Sequence, residues 1–451
     1  MTTPIYDFIM EYSKTHPVRP HMPGHKGRPP FDSSYLKNLY AMDITEIEGA
    51  DSLFEASGII KKSEDNATSL FKTAGTFYSC GGSTLCIQAM LFLMKQEKRR
   101  VFAMRNCHRA FLNACILLDM EITWVYPQQT EGILSGKVPL SELEQMLSEC
   151  NEPACVYLTS PDYIGNVSDI ASVSKICKKY GARLLVDNAH GAHLAFCKIN
   201  RHPIALGADL CCDSAHKMLP ALTGAAYLHT SSPELAKRAK YAMSMFGSTS
   251  PSYLILTSLD LCNMYLAENV RADIERMQRE IKQFHTTLSK FFRFSFGDIF
   301  HITIYAKQSG TTGYAINEYL KEARIFPEYV DEDMVILLFS PVMDVDSIRS
   351  VTLALLEAGE KLKARCNITA PISGVKPCKL EKAMPMRKAA LSDYEEIPVG
   401  FAEGRICAGV KVPCPPAVPI AVSGEKITRE CINIFEYYNI RTVCVVKISN
   451  K

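Results

Sequence analysis

One tryptophan stands in 451 residues, and no apolar run reaches the ~18 residues that a membrane span needs. Neither charge sign predominates: 50 Lys plus Arg face 48 Asp plus Glu, for a formal net charge of +2. Without a broad basic field, a dedicated nucleic-acid binder is disfavoured. Asp7 and Glu11 interrupt the apolar pattern of the first residues, which argues against a usual signal peptide. The Asn-x-Ser/Thr triplets at Asn66, Asn166 and Asn367 then lack a secretory context. No internal repeat or low-complexity tract is present. Cys-x-x-Cys and His-Glu-x-x-His are also missing, which leaves a metal site without its usual spacing. Gly132 to Lys137 has the Gly-x-x-x-Gly-Lys outline but no closing Ser/Thr, so a nucleotide triphosphatase is disfavoured.

What is plentiful points to a globular protein. Hydrophobic residues make up 47% and charged residues 22%, enough apolar material for large cores, and the length suits two or three domains. The 17 cysteines are odd in number and scattered, many within apolar runs, and read as reduced thiols of a cytoplasmic protein.

Turn formers between Pro17 and Pro30 mark residues 1–60 as an N-terminal arm. From about Lys61 to His229, short apolar runs alternate with amphipathic ones. Val101 to Met104, Ala154 to Thr159, Arg183 to Val186 and Ala225 to His229 read as buried strands, and Leu85 to Lys98 and Asp169 to Tyr180 as helices. This alternation predicts an α/β fold, a mostly parallel sheet with helices on both faces. Three-to-four spacing from Leu259 to Leu288 predicts one long helix or two consecutive ones. Residues 61–292 thus form a large domain with its linking helix. Residues 293–451 form a smaller C-terminal α/β domain, with strands His301 to Ala306 and Val335 to Phe339 and helices Tyr314 to Ala323, Ser347 to Leu362 and Thr428 to Tyr438.

Four segments of the large domain carry chemistry. In Cys212-Asp213-Ser214-Ala215-His216-Lys217, after Gly207-Ala208-Asp209 at an expected strand end, Lys217 has hydroxyl and imidazole neighbours and no adjacent acid. That setting suits an amine used as a nucleophile, although a lone lysine is more often solvent-facing. Arg183 to Val186 runs into Asp187, and an acid at a buried strand end needs a cation or several donors. A protonated pyridine nitrogen at ~3 Å would contribute roughly 5 kcal/mol at an effective dielectric of ~20; an N-cap role is the alternative. Cys80-Gly81-Gly82-Ser83-Thr84 opens a helix with paired glycines and hydroxyls, a setting for phosphate. His108, in Arg105-Asn106-Cys107-His108-Arg109, is placed to stack on a ring or to cap a helix. A phosphate cradle, a stacking imidazole, a strand-end acid and a lysine are what a pyridoxal 5′-phosphate site needs. Against these roles, His21 with His25, His190 with His193, and Cys211, Cys212 and His216 are weaker metal candidates, and no metal is expected.

Together these residues resemble the ornithine/lysine/arginine decarboxylase family, a bacterial branch of the fold-type I pyridoxal phosphate enzymes. The resemblance covers nearly the whole chain: His21-Met22-Pro23-Gly24-His25-Lys26-Gly27, Gly82-Ser83-Thr84, Asn106 to Arg109, Ser160-Pro161-Asp162-Tyr163-Ile164-Gly165, Asp187 to His193, Ser214 to Lys217, Ser248 to Tyr253, Gly404-Arg405-Ile406, Pro415-Pro416 and Ser423-Gly424-Glu425. It implies a compact member without an N-terminal wing domain. It also implies a homodimer whose active site is completed across the interface, and decarboxylation of arginine, lysine or ornithine in polyamine metabolism.

By that resemblance Lys217 carries the cofactor in Schiff-base linkage, Asp187 pairs with the ring nitrogen, and His108 stacks on the ring. Ser83, Thr84, Ser214 and His216 bind phosphate, and Gly82, Ala189 and His190 complete the cofactor contacts. For the proton returned to Cα the sequence offers Lys217 or a neighbouring histidine and does not assign the donor. The chain departs from the family pattern at Asp51-Ser52-Leu53-Phe54 (Asp-Asp-Leu-His) and at Asn188 (Glu). It departs again at Ile406-Cys407-Ala408-Gly409 (Ile-Ser-Ala-Glu) and at Cys414-Pro415-Pro416-Ala417-Val418-Pro419 (Tyr-Pro-Pro-Gly-Ile-Pro). Cys80, Cys107, Cys212 and Cys414 fall in or beside these motifs, where thiol reagents would inhibit.

Overall fold

The computed structural model describes all residues except 33, 129–131, 296, 367–374, 376, 410–416 and 448–451. In chain order its elements are α1 (Pro4–Lys14), α2 (Ser34–Met42), α3 (Ile59–Phe71), β1 (Gly75–Ser79), α4 (Gly82–Gln96), β2 (Arg100–Met104), α5 (Arg109–Leu118), β3 (Ile122–Val125), α6 (Leu140–Ser148), β4 (Ala154–Thr159), α7 (Ile170–Lys179) and β5 (Arg183–Asp187). There follow β6 (Leu210–Asp213), α8 (Ala215–Met218), β7 (Ala226–Thr230), α9 (Pro233–Ser244), α10 (Tyr253–Glu268), α11 (Val270–Leu288), β8 (Arg293–Phe294), β9 (His301–Tyr305), α12 (Gly313–Glu322), β10 (Tyr329–Val330), β11 (Met334–Leu338), α13 (Val345–Lys361), α14 (Met386–Ala390), β12 (Tyr394–Pro398), α15 (Arg429–Tyr437) and β13 (Thr442–Val446). Contacts divide the chain into two units: Met1–Glu97 with Arg183–Glu275, and Lys98–Ala182 with Arg276–Lys451. No helix among the described residues is long and apolar enough to cross a membrane.

In the first unit the strands lie in the order β1-β7-β6-β5. β5 runs parallel to β6, with Asp187 opposite Cys212, and β7 is antiparallel to both β6 and β1. Every residue of β6 and β7 is buried, as expected of near-continuous apolar strands covered on both sides. Helix α4 is apolar around most of its circumference and packs on β7, β6 and α9, while α3 packs on β1 and α10. The expected linking helix is two helices, α10 and α11, separated by Asn269.

In the second unit β4-β2-β3 are parallel throughout. An antiparallel sheet of order β10-β11-β9-β8 and a β12-β13 hairpin follow. Their shared core includes Tyr305, Ile336, Cys407, Ile420, Phe435 and Val445. The α/β class with mostly parallel large-domain strands is as the sequence predicts. One placement differs: Gly207-Ala208-Asp209 precede a strand instead of ending one, because the buried run continues through Leu210, Cys211 and Cys212 to Asp213.

Candidate active site

The first unit assembles most of the expected residues at the ends of β5 and β6 and at the start of α4. Gly82 adopts φ +65°, a left-handed conformation that glycine takes without a Cβ penalty, and its amide donates to the Gly224 carbonyl at 2.8 Å. Ser79 shapes this loop: its hydroxyl accepts from the Gly81 amide at 3.1 Å and donates to the Gly82 carbonyl at 2.9 Å. No side chain caps α4, so the amides of its first turn, with the Ser83 and Thr84 hydroxyls, form a seat suited to an anion. The buried Ser214 hydroxyl donates to Ser83 Oγ at 3.0 Å, tying the start of α4 to the turn that carries Lys217.

That turn, α8, is a single helical turn after β6. Lys217 is exposed on it, and its Nζ lies 2.9 Å from Nε2 of the buried His190. Nδ1 of His216 faces the Ala225 carbonyl at 2.9 Å. Burial, helped by the Lys217 charge, holds the His216 imidazole below its usual range and keeps the ring neutral. Asp187, at 2% exposure, accepts from the Ala189 amide at 3.2 Å and from the Cys212 thiol at 3.6 Å. A buried carboxylate at a strand end, an amine hydrogen-bonded to an imidazole and an uncapped helix start fit the ring nitrogen, aldehyde and phosphate of pyridoxal phosphate.

His108 belongs to the second unit, where it is the N-cap of α5. Its Nδ1 accepts from the Ala110 amide at 3.1 Å, so the capping role weighed against stacking is realised and Nε2 carries the proton. Nearby, Arg105 is buried against Glu425 and the Pro419 and Ile420 carbonyls.

Residues outside the expected set also enter. Asn188 and Asp213, both fully buried, are hydrogen-bonded to each other at 2.7 Å. Ligand-capable atoms of His202, Cys211 and Asp213 lie within 4.8 Å of one another, a cluster hidden in the sequence because His202 comes from outside the strands. Of the other histidines weighed as ligands, His21 meets Tyr12 at 2.9 Å, His25 meets Asp43 at 3.0 Å and His190 meets Lys217 at 2.9 Å. Asp51 is a capping residue, its carboxylate accepting from the amides of Ser52, Ser57, Gly58 and Ile60. The expected thiol sensitivity needs correction. Cys107 and Cys212 are completely buried and closed to reagents, and burial pushes the partly exposed Cys80 up to about 12; Cys414 lies outside the described residues. None of the sixteen described cysteines is disulfide-bonded.

Comparison with known proteins follows the same outline. The family model of the Orn/Lys/Arg decarboxylase major domain matches residues 3–304, and that of the C-terminal domain matches residues 374–445. Uncharacterized protein YaaO of Bacillus subtilis is 30% identical over 96% of this chain and 93% of its own length. An arginine decarboxylase of the same organism is 27% identical over 96% and 92%. Among solved structures, lysine decarboxylase A from Pseudomonas aeruginosa superposes with a TM-score of 0.85 at 19% identity, covering 98% of this chain and 80% of that one. A serine palmitoyltransferase from Sphingomonas wittichii gives 0.58 at 13% identity over 79% and 84%, a likeness of fold alone. The matched family models, spanning the strand-end acid, the anion seat and the lysine turn alike, establish that the chain belongs to the Orn/Lys/Arg decarboxylase family.

Proposed function

We propose that the protein is a pyridoxal phosphate-dependent decarboxylase that converts arginine, lysine or ornithine to the corresponding amine and carbon dioxide. The observation that carries this reading is the convergence of Lys217, His190, Asp187 and the α4 seat within one unit. Arginine and lysine decarboxylases among the relatives support the substrate class. Bound cofactor supplies an electron sink for the bond broken at the substrate Cα.

The protein's own residues do the rest. The Ser83 and Thr84 amides and hydroxyls, with Ser214 and His216, would hold the phosphate, and Gly82, its own amide taken by the Gly224 carbonyl, would shape the turn that presents them at a helix start that favours negative charge. Asp187 would keep the ring nitrogen protonated, since a buried carboxylate gains most from a cation when water is excluded. Ala189 fixes that carboxylate through its amide; the stacking role of His108 rests on the family resemblance alone. Lys217 is the nucleophile for cofactor attachment. Lys217 Nζ and His190 Nε2, 2.9 Å apart, are the groups that would return a proton to Cα. A homodimer, a cytoplasmic location and a role in polyamine metabolism belong to the same proposal. So does the division into an arm (1–60), a cofactor domain (61–292) and a C-terminal domain (293–451).

The test is to incubate purified protein with cofactor, reduce with borohydride and map the modified peptide. The cofactor mass is expected on Lys217 and is lost in Lys217→Ala. A panel of amino acids then identifies the product by mass. An amine with released carbon dioxide supports the reading, and a keto acid overturns it in favour of transamination.

A further inference from the structure

Asp213 ends β6 one residue before the turn that carries Lys217, and Asn188 follows Asp187 at the end of β5. Their contact therefore joins the two chain segments that present the acid and the lysine. Asn188 Nδ2 donates to Asp213 Oδ1 at 2.7 Å, and the Asn188 amide donates to the Cys212 carbonyl at 2.9 Å. The other carboxylate oxygen, Oδ2, accepts from His202 Nε2 and His229 Nε2, each at 3.1 Å. All four side chains are completely buried.

Charge states follow from these partners. Burial alone would raise the Asp213 carboxyl, but the two imidazoles and their hydrogen bonds outweigh it and hold the group well below the usual range, so it is ionised. Burial holds His229 below its ordinary value, and the Thr76 hydroxyl, 2.9 Å from Nδ1, is placed to donate to the neutral ring. The carboxylate is thus a fixed acceptor, and Asn188 is the donor that anchors the β5 end to it. An acid here would set a second carboxylate against Asp213 away from water, which is costly for both.

We propose that Asn188 is a positioning residue: locked to ionised Asp213, its amide fixes the turn after β5 and so sets the placement of the Asp187 carboxylate relative to Lys217. The inference rests on the cofactor reading of Asp187 and Lys217. The titratable groups facing the Asn188–Asp213 pair are Asp187, His202, His229, Tyr227 and the thiols of Cys86, Cys211 and Cys212.

The experiment compares wild type with Asn188→Asp, Asn188→Ala and the exchange Asn188→Asp/Asp213→Asn. Each is loaded with pyridoxal phosphate, and cofactor retention is read from visible absorbance after gel filtration at about pH 6 and about pH 9, with far-ultraviolet circular dichroism recording the fold. In Asn188→Asp one proton can be shared between the two carboxyls at the lower pH. Retention relative to wild type is expected to fall about tenfold at the higher pH, when that proton is lost. Asn188→Ala is expected to weaken retention equally at both pH values, and the exchange to restore the wild-type pH response. Wild-type retention and pH response in Asn188→Asp overturn the proposal. If that variant does not fold, wild-type retention in Asn188→Ala overturns it instead. Failure of wild type itself to take up cofactor is a separate result, which overturns the functional reading together with this inference.

Discussion

The carboxylate of Asp260, on α10, caps the first helix of the chain: its Oδ2 accepts from the Ile5 amide at 2.8 Å and also from the Tyr6 amide at 3.0 Å. Thr3, the residue at the N-cap position, makes no side-chain cap, and Pro4 brings no amide, so Asp260 supplies the missing acceptor from 255 residues away. Asp260→Ala should cost about 3 kcal/mol, since it removes charge-assisted bonds and leaves buried amides unpaired. Urea unfolding would measure it. A loss below about 0.5 kcal/mol, the level of an ordinary surface change, would reject the capping role.

Arg105 provides a second test. Its buried guanidinium bonds the Pro419 and Ile420 carbonyls at 2.9 and 3.0 Å and Glu425 at 3.2 Å, and it lies 5.0 Å from the Trp124 ring centroid. Removing one partner of a buried pair strands the other, so Arg105→Ala should destabilise by about 3–5 kcal/mol. Arg105→Lys should recover little, because an ammonium cannot reproduce the planar fork. Trp124 is the only tryptophan, so its emission reports the loss directly. Unchanged emission and stability in Arg105→Ala would rule this clamp out.

A third prediction concerns pH. Burial raises the Asp331 carboxyl to about 6, against hydrogen bonds from the Tyr329 hydroxyl and the Met334 and Asp333 amides. With the folded value above the unfolded one, the native state binds the extra proton. The group's contribution to stability is fully present below about pH 4 and is lost as pH rises through about 6. Asp331→Asn lacks this titration. Its stability relative to wild type should therefore improve by roughly 1–3 kcal/mol between about pH 4 and pH 7. Urea unfolding across that range checks the sign, and a flat or falling difference contradicts it.

Aliphatic strands were easy to read from the chain. Ala154–Thr159 is a strand over the whole expected stretch, and Arg183 to Val186 extends by one residue to Asp187. β1 is not legible in the sequence because Gly75-Thr76-Phe77-Tyr78-Ser79 has no aliphatic run. It is buried through hydrogen bonds such as Thr76 to His229 and Tyr78 to Ser63. Helix α1 was hidden in the same way: only Ile5 and Ile9 are buried on it, and its cap comes from a remote aspartate. The chemical residues of the site declared themselves by type and spacing. Their supports did not, because the Asn188–Asp213 bond depends on the β5–β6 register and the Ser79 bonds depend on a glycine turn.

The two-unit division bears on synthesis. Residues 1–97 share their unit with residues 183–275, and β1 is paired, among the described strands, with β7 alone. At ~5–20 residues added per second, β1 leaves the ribosome roughly eight to thirty seconds before that neighbour. During this interval the nascent chain carries an open strand edge and the unfilled apolar face of α4 beside it. Until β7 emerges the β1 edge lacks the strand it pairs with in the folded unit, and slow translation between the two strands lengthens that exposure.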